Sequence, residues 1–263
     1  MIKLFQVDAF ADKKFSGNPA GVCILPKEYK QTEVWMQNLA EEMNLPETAF
    51  VSQIKGNHYS LRWFTPTTEV KLCGHATLAT AHILWSEGLV AISEIIRFDT
   101  LSGELKVERQ DSLISLDFPQ IQTSECKEPI GLEMALGCDI INTYLAGENL
   151  LVEVKNEETV RNLTPYIQQL ELLPAECVIV TARGNSVDFV SRMFGPNVGI
   201  SEDPVTGSTH CSLAPFWGER LNKTQMNALQ LSKRGGALQV ELVGDRVSIA
   251  GQATTVFKGE LYE

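Results

Sequence analysis

The feature that most constrains this 263-residue chain is a pattern that occurs twice. Arg62–Pro66 and Arg192–Pro196 share the order Arg-x-Phe-x-Pro, the second copy lying 130 residues after the first. Each copy is followed by an acidic residue and then by a glycine predicted to open a helix, Gly74 in the first half and Gly207 in the second. The same order of strand, proline, loop and helix in both halves indicates a duplication.

Short apolar runs that end at Gly or Pro predict a mixed chain rich in strands. A strand is expected over 2–10 and a turn over 16–19. Helices are expected from a Thr32 cap to residue 43, from Gly74 to Gly88 and over 207–217. A hairpin is expected over 238–249. The domain boundary is placed between residues 1–118 and 119–263, with the last strands able to cross back to the first half.

Duplication predicts a cleft that both halves line. If each half points a helix N-terminus into that cleft, orphan backbone N–H groups and the helix dipole favour a carboxylate or another anionic oxygen. A small acidic metabolite is therefore the expected ligand, even for an acidic protein.

Composition excludes several classes of function. A net charge of −11 argues against a nucleic-acid surface. No signal sequence or membrane-length apolar run is visible, which predicts a soluble, cytoplasmic protein. The six cysteines are dispersed without metal-ligand spacing and are expected to be free thiols, so no metal site is predicted. No nucleotide-binding glycine motif is present, and no cofactor is expected.

A longer set of motifs carries a family resemblance. The chain contains Gly-Asn-Pro-Ala at 17–20, Leu-Pro-Glu-Thr at 45–48, Gly-His-Ala-Thr at 74–77, Glu-Asp-Pro-Val-Thr-Gly-Ser at 202–208 and Arg-Gly-Gly at 234–236. In these strings it resembles the phenazine biosynthesis-like (PhzF) family within the diaminopimelate epimerase-like fold. The resemblance implies an α/β (α+β) chain of two pseudo-symmetric halves, each a mostly antiparallel sheet around a central helix. It also implies a cofactor-independent isomerase, commonly a homodimer.

The resemblance also implies roles for individual residues. The position of Glu47 is that of a glutamate that moves a proton within the substrate. Five further residues match family positions whose side chains or backbone line the pocket and bind substrate: Gly74, His75, Asp203, Gly207 and Ser208. Glu47, His75 and Asp203 are thus the predicted catalytic residues.

Each candidate also has a structural interpretation. Burial among apolar neighbours is expected to raise the pKa of Glu47 toward neutrality, but a glutamate after a proline can also be a capping or surface residue. His75 can polarise a substrate or face solvent at a helix start. Asp203 can hold a substrate or support a turn. Gly207 and Ser208 can bind an anion or cap a helix.

Asn18 and Cys73 leave further alternatives open. Asn18 can anchor substrate or simply make a turn. Cys73 lies where racemases of the wider fold carry one of two catalytic thiols, but the second half has no cysteine at the matching place. Cys73 is therefore expected to be a small buried residue. Two alternatives to a Glu47-dependent isomerase remain: a racemase or epimerase using Cys73, and a non-catalytic metabolite-binding scaffold.

Overall fold

The computed structural model describes residues 2–27 and 32–262. The chain divides into two compact units. The first contains the residues up to Asp117 together with those from Ala250 onward, and the second spans Phe118–Ile249. Among the described residues, no helix is long and apolar enough to cross a membrane.

The first unit is built from short strands and two helices. Its elements are, in chain order, β1 Ile2–Ala9, β2 Asn18–Leu25, α1 Glu33–Met43, β3 Glu47–Lys55, β4 His58–Phe64, β5 Glu69–Val70, α2 Gly74–Ser86, β6 Ile96–Thr100, β7 Gly103–Gln110, β8 Leu113–Pro119 and, from the end of the chain, β18 Ala253–Leu261. Strands β18, β1 and β2 pair antiparallel, β3 joins β2 in parallel, and β4 returns antiparallel. Strand β6 then pairs parallel with β4 and leads into the antiparallel β7 and β8.

The second unit has more and shorter helices. Its elements are β9 Ser124–Glu125, α3 Leu132–Leu136, β10 Asn142–Ala146, β11 Asn149–Glu153, α4 Glu157–Asn162, α5 Ile167–Leu170, β12 Val178–Arg183, β13 Phe189–Gly195, a 3-10 turn Pro196–Val198, β14 Ile200–Asp203, α6 His210–Leu221, β15 Gln225–Gln230, β16 Gly236–Val243 and β17 Arg246–Gly251.

The two units repeat one strand topology. In the first, β1 and β2 are antiparallel, β3 is parallel to β2, β4 is antiparallel to β3, and β6 is parallel to β4. In the second, β10 and β11 are antiparallel, β12 is parallel to β11, β13 is antiparallel to β12, and β15 is parallel to β13. Helix α2 precedes β6 as helix α6 precedes β15. The duplication inferred from the Arg-x-Phe-x-Pro pattern thus has a topological counterpart.

The repeated motif has the same local structure in each unit. The guanidinium of Arg62 lies 5.1 Å from the Phe64 ring centroid and donates to both carboxylate oxygens of Glu69. Arg192 lies 5.0 Å from the Phe194 ring centroid and donates to both oxygens of Glu202. The acidic residue after each proline is therefore the partner of the arginine, since a planar guanidinium matches a carboxylate with two parallel hydrogen bonds.

Helix α2 is the buried centre of the first unit. It packs against β1, β2, β3 and β18, and ten of its side chains are buried. Because five of its 13 residues are alanine or threonine, the strands can approach it closely. The predicted start at Gly74 is confirmed, and Gly88 follows the helix with φ +68°.

Helix α6 differs from the prediction at both ends. It begins at His210 rather than Gly207, and it continues past Trp217 to Leu221, where Asn222 adopts φ +51°. Pro215 lies inside it and cannot donate to the carbonyl of Cys211. The N–H of Ile121 donates to that carbonyl instead, at 2.9 Å, which lets the helix tolerate the proline.

Other predictions are corrected by the backbone. The turn predicted over 16–19 is shorter, because Asn18 already lies in β2 and pairs with Ala9. Strands β5, β9, β10, β11, β14, β15 and β18 were not predicted. Residues 157–170 form two short helices, α4 and α5, with Thr164-Pro165 between them. All six cysteines are free thiols, as expected.

Candidate active site

The central feature of the first unit is a buried pair, Glu47 and His75. Glu47 is the first residue of β3 and His75 the second residue of α2. Nε2 of His75 lies 3.1 Å from Oε2 of Glu47, and the two side chains are only 8% and 13% exposed, respectively. The oxygen lies off the line of the ring N–H, so the contact is an ion pair rather than a well-aligned hydrogen bond.

The other ring nitrogen of His75 faces two polar groups. Nδ1 lies 3.3 Å from Nδ2 of Asn18 and 3.5 Å from Sγ of Cys73. Asn18 is fully buried, and Cys73 is buried at the residue before α2. The predicted substrate residue Asn18 and the predicted catalytic pair are therefore neighbours, with Cys73 beside them.

The electrostatics of the pair differ from the sequence expectation. Burial would raise the pKa of Glu47, but the positive charge of His75 and the close approach of His75 and Cys73 outweigh it, and the pKa is lowered. The expectation of a raised pKa is therefore wrong, because a cation lies beside the carboxylate. Burial disfavours the His75 imidazolium, yet Cys73 and Glu47 hold its pKa well above the usual value.

The pKa of Cys73 is raised. Burial raises it, the negative charge of Glu47 raises it further, and His75 only partly opposes these effects. Glu47 and Cys73 are thus the two acidic groups beside His75, and a negative charge on either one favours the imidazolium.

Close backbone packing fixes the strands that carry this site. At Gly17 φ is +64°, and a Cβ there would lie 2.1 Å from the carbonyl oxygen of Ala9. Only glycine allows the chain to turn at that point and enter β2 at Asn18. Strand β2 pairs with β3 so that Ala20 is opposite Glu47. The Gly-Asn-Pro-Ala string therefore positions both Asn18 and the strand next to Glu47.

The second unit holds Asp203 in a buried polar network. Oγ1 of Thr206 donates to Oδ2 of Asp203 at 2.5 Å. Gln230, which is fully buried, donates through Nε2 to the backbone carbonyl of Asp203 and to Oγ1 of Thr206. Its Oε1 accepts the Thr206 N–H at 2.8 Å. The segment that joins β14 to α6 is thereby held at its start and at Thr206.

His210 occupies the first position of α6 and is fully buried. Its Nδ1 lies 2.9 Å from the Thr206 carbonyl oxygen and donates to it. Burial lowers the pKa of His210 to about 4, although that hydrogen bond opposes the shift. His210 is therefore neutral near pH 7, in contrast to His75.

Gly207 and Ser208 lie in the turn before α6 rather than in its first helical turn. Gly207 is buried and Ser208 is exposed. The His210 N–H donates to the Gly207 carbonyl, and the Cys211 N–H donates to the Ser208 carbonyl. Their predicted position at the helix start is thus corrected by three residues, and their role in substrate binding stays a prediction.

Comparisons with known proteins place this geometry in a family. A sequence profile described as phenazine biosynthesis-like protein matches residues 7–259. The chain belongs to the phenazine biosynthesis-like family. It is 48% identical over 264 residues to a Pseudomonas aeruginosa protein named uncharacterized isomerase, and the match covers 99% of each chain. Relatives of this closeness identify the chain as an isomerase.

Solved structures agree with this family assignment and with the predicted fold. The crystal structure of a PhzF-family phenazine biosynthesis protein from Enterococcus faecalis has a TM-score of 0.95 at 47% identity, over 100% of this chain and 99% of the other. A structure named a predicted epimerase from Pseudomonas aeruginosa has a TM-score of 0.77 at 19% identity over the whole of both chains, which indicates a shared fold alone. The α+β, epimerase-like fold class is confirmed.

The structure brings together part of the predicted site and adds residues to it. Asn18, Glu47, Gly74 and His75 lie together in the first unit, whereas Asp203, Gly207 and Ser208 belong to the second. Sequence reasoning missed Thr206 and Gln230, which hold Asp203. Thr206 lies inside the Glu-Asp-Pro-Val-Thr-Gly-Ser string and could have been found there. Gln230 lies alone at the end of β15 and carries no sequence signal.

Proposed function

We propose that the chain is a cofactor-independent isomerase that moves a proton within a small carboxylate-bearing substrate, with Glu47 as the general acid/base. The observation that carries this proposal is the buried Glu47–His75 ion pair at the start of α2. A buried carboxylate held next to a cation is typical of acid–base sites.

The proposed reaction begins with Glu47 ionised. Its carboxylate takes a proton from a substrate carbon, the C–H bond breaks, and the electron pair remains in the substrate as a delocalised anion. The resulting carboxylic acid returns the proton to a different carbon. Reactant and product have the same atoms and charge, so the step needs no oxidant, reductant or second substrate.

His75 supplies the electrostatic compensation for this transfer. A lowered pKa makes Glu47 a weak base by itself. As the proton moves, negative charge leaves Glu47 and appears on the substrate, and the imidazolium can pair with either anion. The ion pair with Glu47 is thus replaced by an ion pair between His75 and the substrate anion. Proton transfer to Glu47 is therefore more favourable than transfer to an isolated carboxylate. The N–H groups of the first turn of α2 add to this field.

Further residues are included in the proposal. Asn18 and Gly74 are proposed to bind substrate beside the ion pair, and Gly207 and Ser208 are also proposed as substrate-binding residues. Asp203 is proposed as a catalytic residue that orients a polar substrate group. Its support is the buried network of Thr206 and Gln230, which holds the carboxylate in one position.

A racemase or epimerase using Cys73 is the second candidate. The 3.5 Å separation of Cys73 Sγ from His75 Nδ1 favours it, because an imidazole can accept a thiol proton. The raised pKa of Cys73 argues against it. In the second unit, Cys211 is buried within α6, where burial raises its pKa to about 12, so it is poorly suited to act as the second thiol.

The test is a ligand screen followed by a measurement of solvent deuterium exchange into the ligands that bind. A thermal-shift screen of small cyclic amino acids and hydroxy acids identifies binders, and proton NMR in D2O follows their C–H signals. The proposal expects exchange of a carbon-bound proton in at least one binder, persisting after dialysis against a chelator. Binding without exchange in every case would instead support the metabolite-binding scaffold.

The proposal also includes an oligomeric state and a cellular compartment. The family resemblance suggests a cytoplasmic homodimer. Light scattering on the purified chain distinguishes a mass of two chains from the 29.1 kDa of one chain.

A further inference from the structure

Three donor groups of different chemistry converge in the first unit. The Glu47 carboxylate, the Cys73 thiol and one ring nitrogen of His75 all lie within 4.8 Å of one another. The sequence spacing of these residues gave no sign of a metal site, because Glu47 comes from β3 while Cys73 and His75 flank the start of α2. We propose that these three side chains bind a divalent transition metal such as Zn²⁺, and that the bound metal blocks the isomerase. The second half of this inference rests on the proposed function.

The distances suit a small metal ion. Zinc lies about 2.0–2.3 Å from oxygen, nitrogen and sulfur ligands, so neighbouring ligands of a tetrahedral ion are about 3.3–3.7 Å apart. Oε2 of Glu47 is 3.1 Å from Nε2 of His75, and Sγ of Cys73 is 3.5 Å from the other ring nitrogen, Nδ1. One ion binds only one ring nitrogen, so only one of these distances applies to it. Because the three donor atoms lie within 4.8 Å of one another, the widest donor pair has to close by about 1 Å at most.

The donors are also available to a metal. Oε2 of Glu47 and Nε2 of His75 are buried, and neither has a well-aligned hydrogen-bond partner among the residues that the structure describes. Their ion pair is therefore the main interaction that a metal would replace. Three protein ligands leave the fourth tetrahedral position to water, as in open zinc sites.

The charges of the ligands suit a divalent ion. A metal binds the thiolate and the neutral imidazole, so binding releases the protons that these groups carry. The carboxylate, thiolate, neutral imidazole and divalent ion sum to zero, so the buried metal site carries no net charge. A thiolate and an imidazole select zinc-like ions over magnesium or calcium.

A second cluster of donors gives a useful contrast. His58, Asp99 and Glu104 also lie within 4.8 Å of one another, but their ligand set is exposed or half-buried and contains no thiol. Arg97 already donates to Glu104 at 2.9 Å. The buried cluster is therefore the stronger metal site.

Occupation of the site prevents the proposed chemistry. A divalent metal draws electron density from the Glu47 carboxylate and makes it a weaker base, and a metal-bound His75 is no longer an imidazolium. The same three side chains thus serve two exclusive states, one catalytic and one metal-bound.

The test is a Co²⁺ titration of the metal-free full chain, because Co²⁺ reports a thiolate ligand by its charge-transfer absorption and tetrahedral geometry by its visible bands. We expect one equivalent to bind with both signals and Zn²⁺ to displace it. In Cys73→Ala the charge-transfer band is lost, and in Glu47→Gln the affinity falls at least about tenfold. Cys23→Ala, a buried cysteine outside the cluster, and His58→Ala retain wild-type binding.

Three outcomes would overturn the metal site: wild-type chain without the charge-transfer band, a band that persists in Cys73→Ala, or binding lost only in His58→Ala. Cys73→Ser and circular dichroism distinguish a lost ligand from a lost fold. The titration uses no substrate, so its failure leaves the role of Glu47 untouched. Solvent deuterium exchange into a substrate that appears only when Zn²⁺ is added would overturn the proposal that the metal blocks the isomerase.

Discussion

Oε2 of Glu47 and Nε2 of His75 are 3.1 Å apart in a buried site, and each stabilises the ionised form of the other. This reciprocity explains why a carboxylate at the start of β3 can be both buried and charged. It also makes the stability of the fold depend on pH in a way that identifies the pair.

The stability difference between wild type and Glu47→Gln should be largest between about pH 4.5 and pH 6.5. The folded pKa of His75 is raised, so its contribution is present below about pH 6.5 and is lost as pH rises through the folded value. The folded pKa of Glu47 is lowered, so its contribution is present above about pH 4.5 and is lost as pH falls through the folded value. Urea unfolding should give a difference of about 1–3 kcal/mol between these two pH values and a smaller one at more acidic and more alkaline pH.

The control for that series is Glu104→Gln. Glu104 pairs with Arg97 at an exposed site, and such pairs contribute about 0–1 kcal/mol. Its difference from wild type should be small at every pH. A Glu47→Gln difference that is independent of pH would contradict the ion pair.

Gln230→Leu should destabilise the chain by about 2–5 kcal/mol, because it leaves the buried Thr206 N–H and the Asp203 carbonyl without their hydrogen-bond partner. Gln225→Leu on the same strand removes one exposed hydrogen bond to Glu241 and should change stability by no more than about 0.5 kcal/mol. Chemical unfolding of both variants measures the difference. Equal effects would mean that the network around Asp203 contributes little.

Gly17→Ala should cost more stability than Gly56→Ala, although both glycines have positive φ. A Cβ at Gly56 meets open space, so only the backbone penalty of about 1–2 kcal/mol applies. A Cβ at Gly17 also collides with the Ala9 carbonyl, which forces β2 and Asn18 to move. Thermal unfolding compares the two, and a Gly17→Ala variant as stable as Gly56→Ala would rule out the close approach.

Replacement of the arginine by lysine should lower stability by different amounts in the two copies of the Arg-x-Phe-x-Pro motif. Arg192 is buried and donates to Glu202 and to the carbonyls of Val160 and Leu163. Lysine cannot form this planar set, so Arg192→Lys should cost about 2–4 kcal/mol. Arg62 is more exposed, and Arg62→Lys should cost about 1 kcal/mol or less. Similar losses in urea unfolding would contradict this ranking.

The sequence predicts the parts of the fold that local chemistry determines. Gly74 opens α2 as expected, and Thr32 caps α1 through its side-chain oxygen. The sequence also shows an acidic residue after each Arg-x-Phe-x-Pro, but its pairing with the arginine became visible only in the structure. Residues 142–146 and 149–153 lack strong alternation because both strands are largely buried, so β10 and β11 were missed.

The sequence indicates which residues form the candidate site but not the charge of Glu47. The motifs identify Glu47 and His75 as candidates. The local sequence does not indicate that the two side chains are in contact, because 28 positions separate them. The pKa of Glu47 follows from that contact and not from its apolar sequence neighbours. The start of α6 was misplaced for a similar reason: Gln230, distant in the chain, holds the Asp203–Thr206 loop in a non-helical conformation.

The most direct test of the central claim is solvent deuterium exchange into a substrate found by the ligand screen, compared between Glu47→Gln and the exposed control Glu104→Gln. The account predicts that Glu47→Gln binds the substrate but exchanges at least about 100-fold more slowly, while Glu104→Gln exchanges at the wild-type rate. Exchange by Glu47→Gln at the wild-type rate would contradict the assignment of Glu47 as the group that moves the proton.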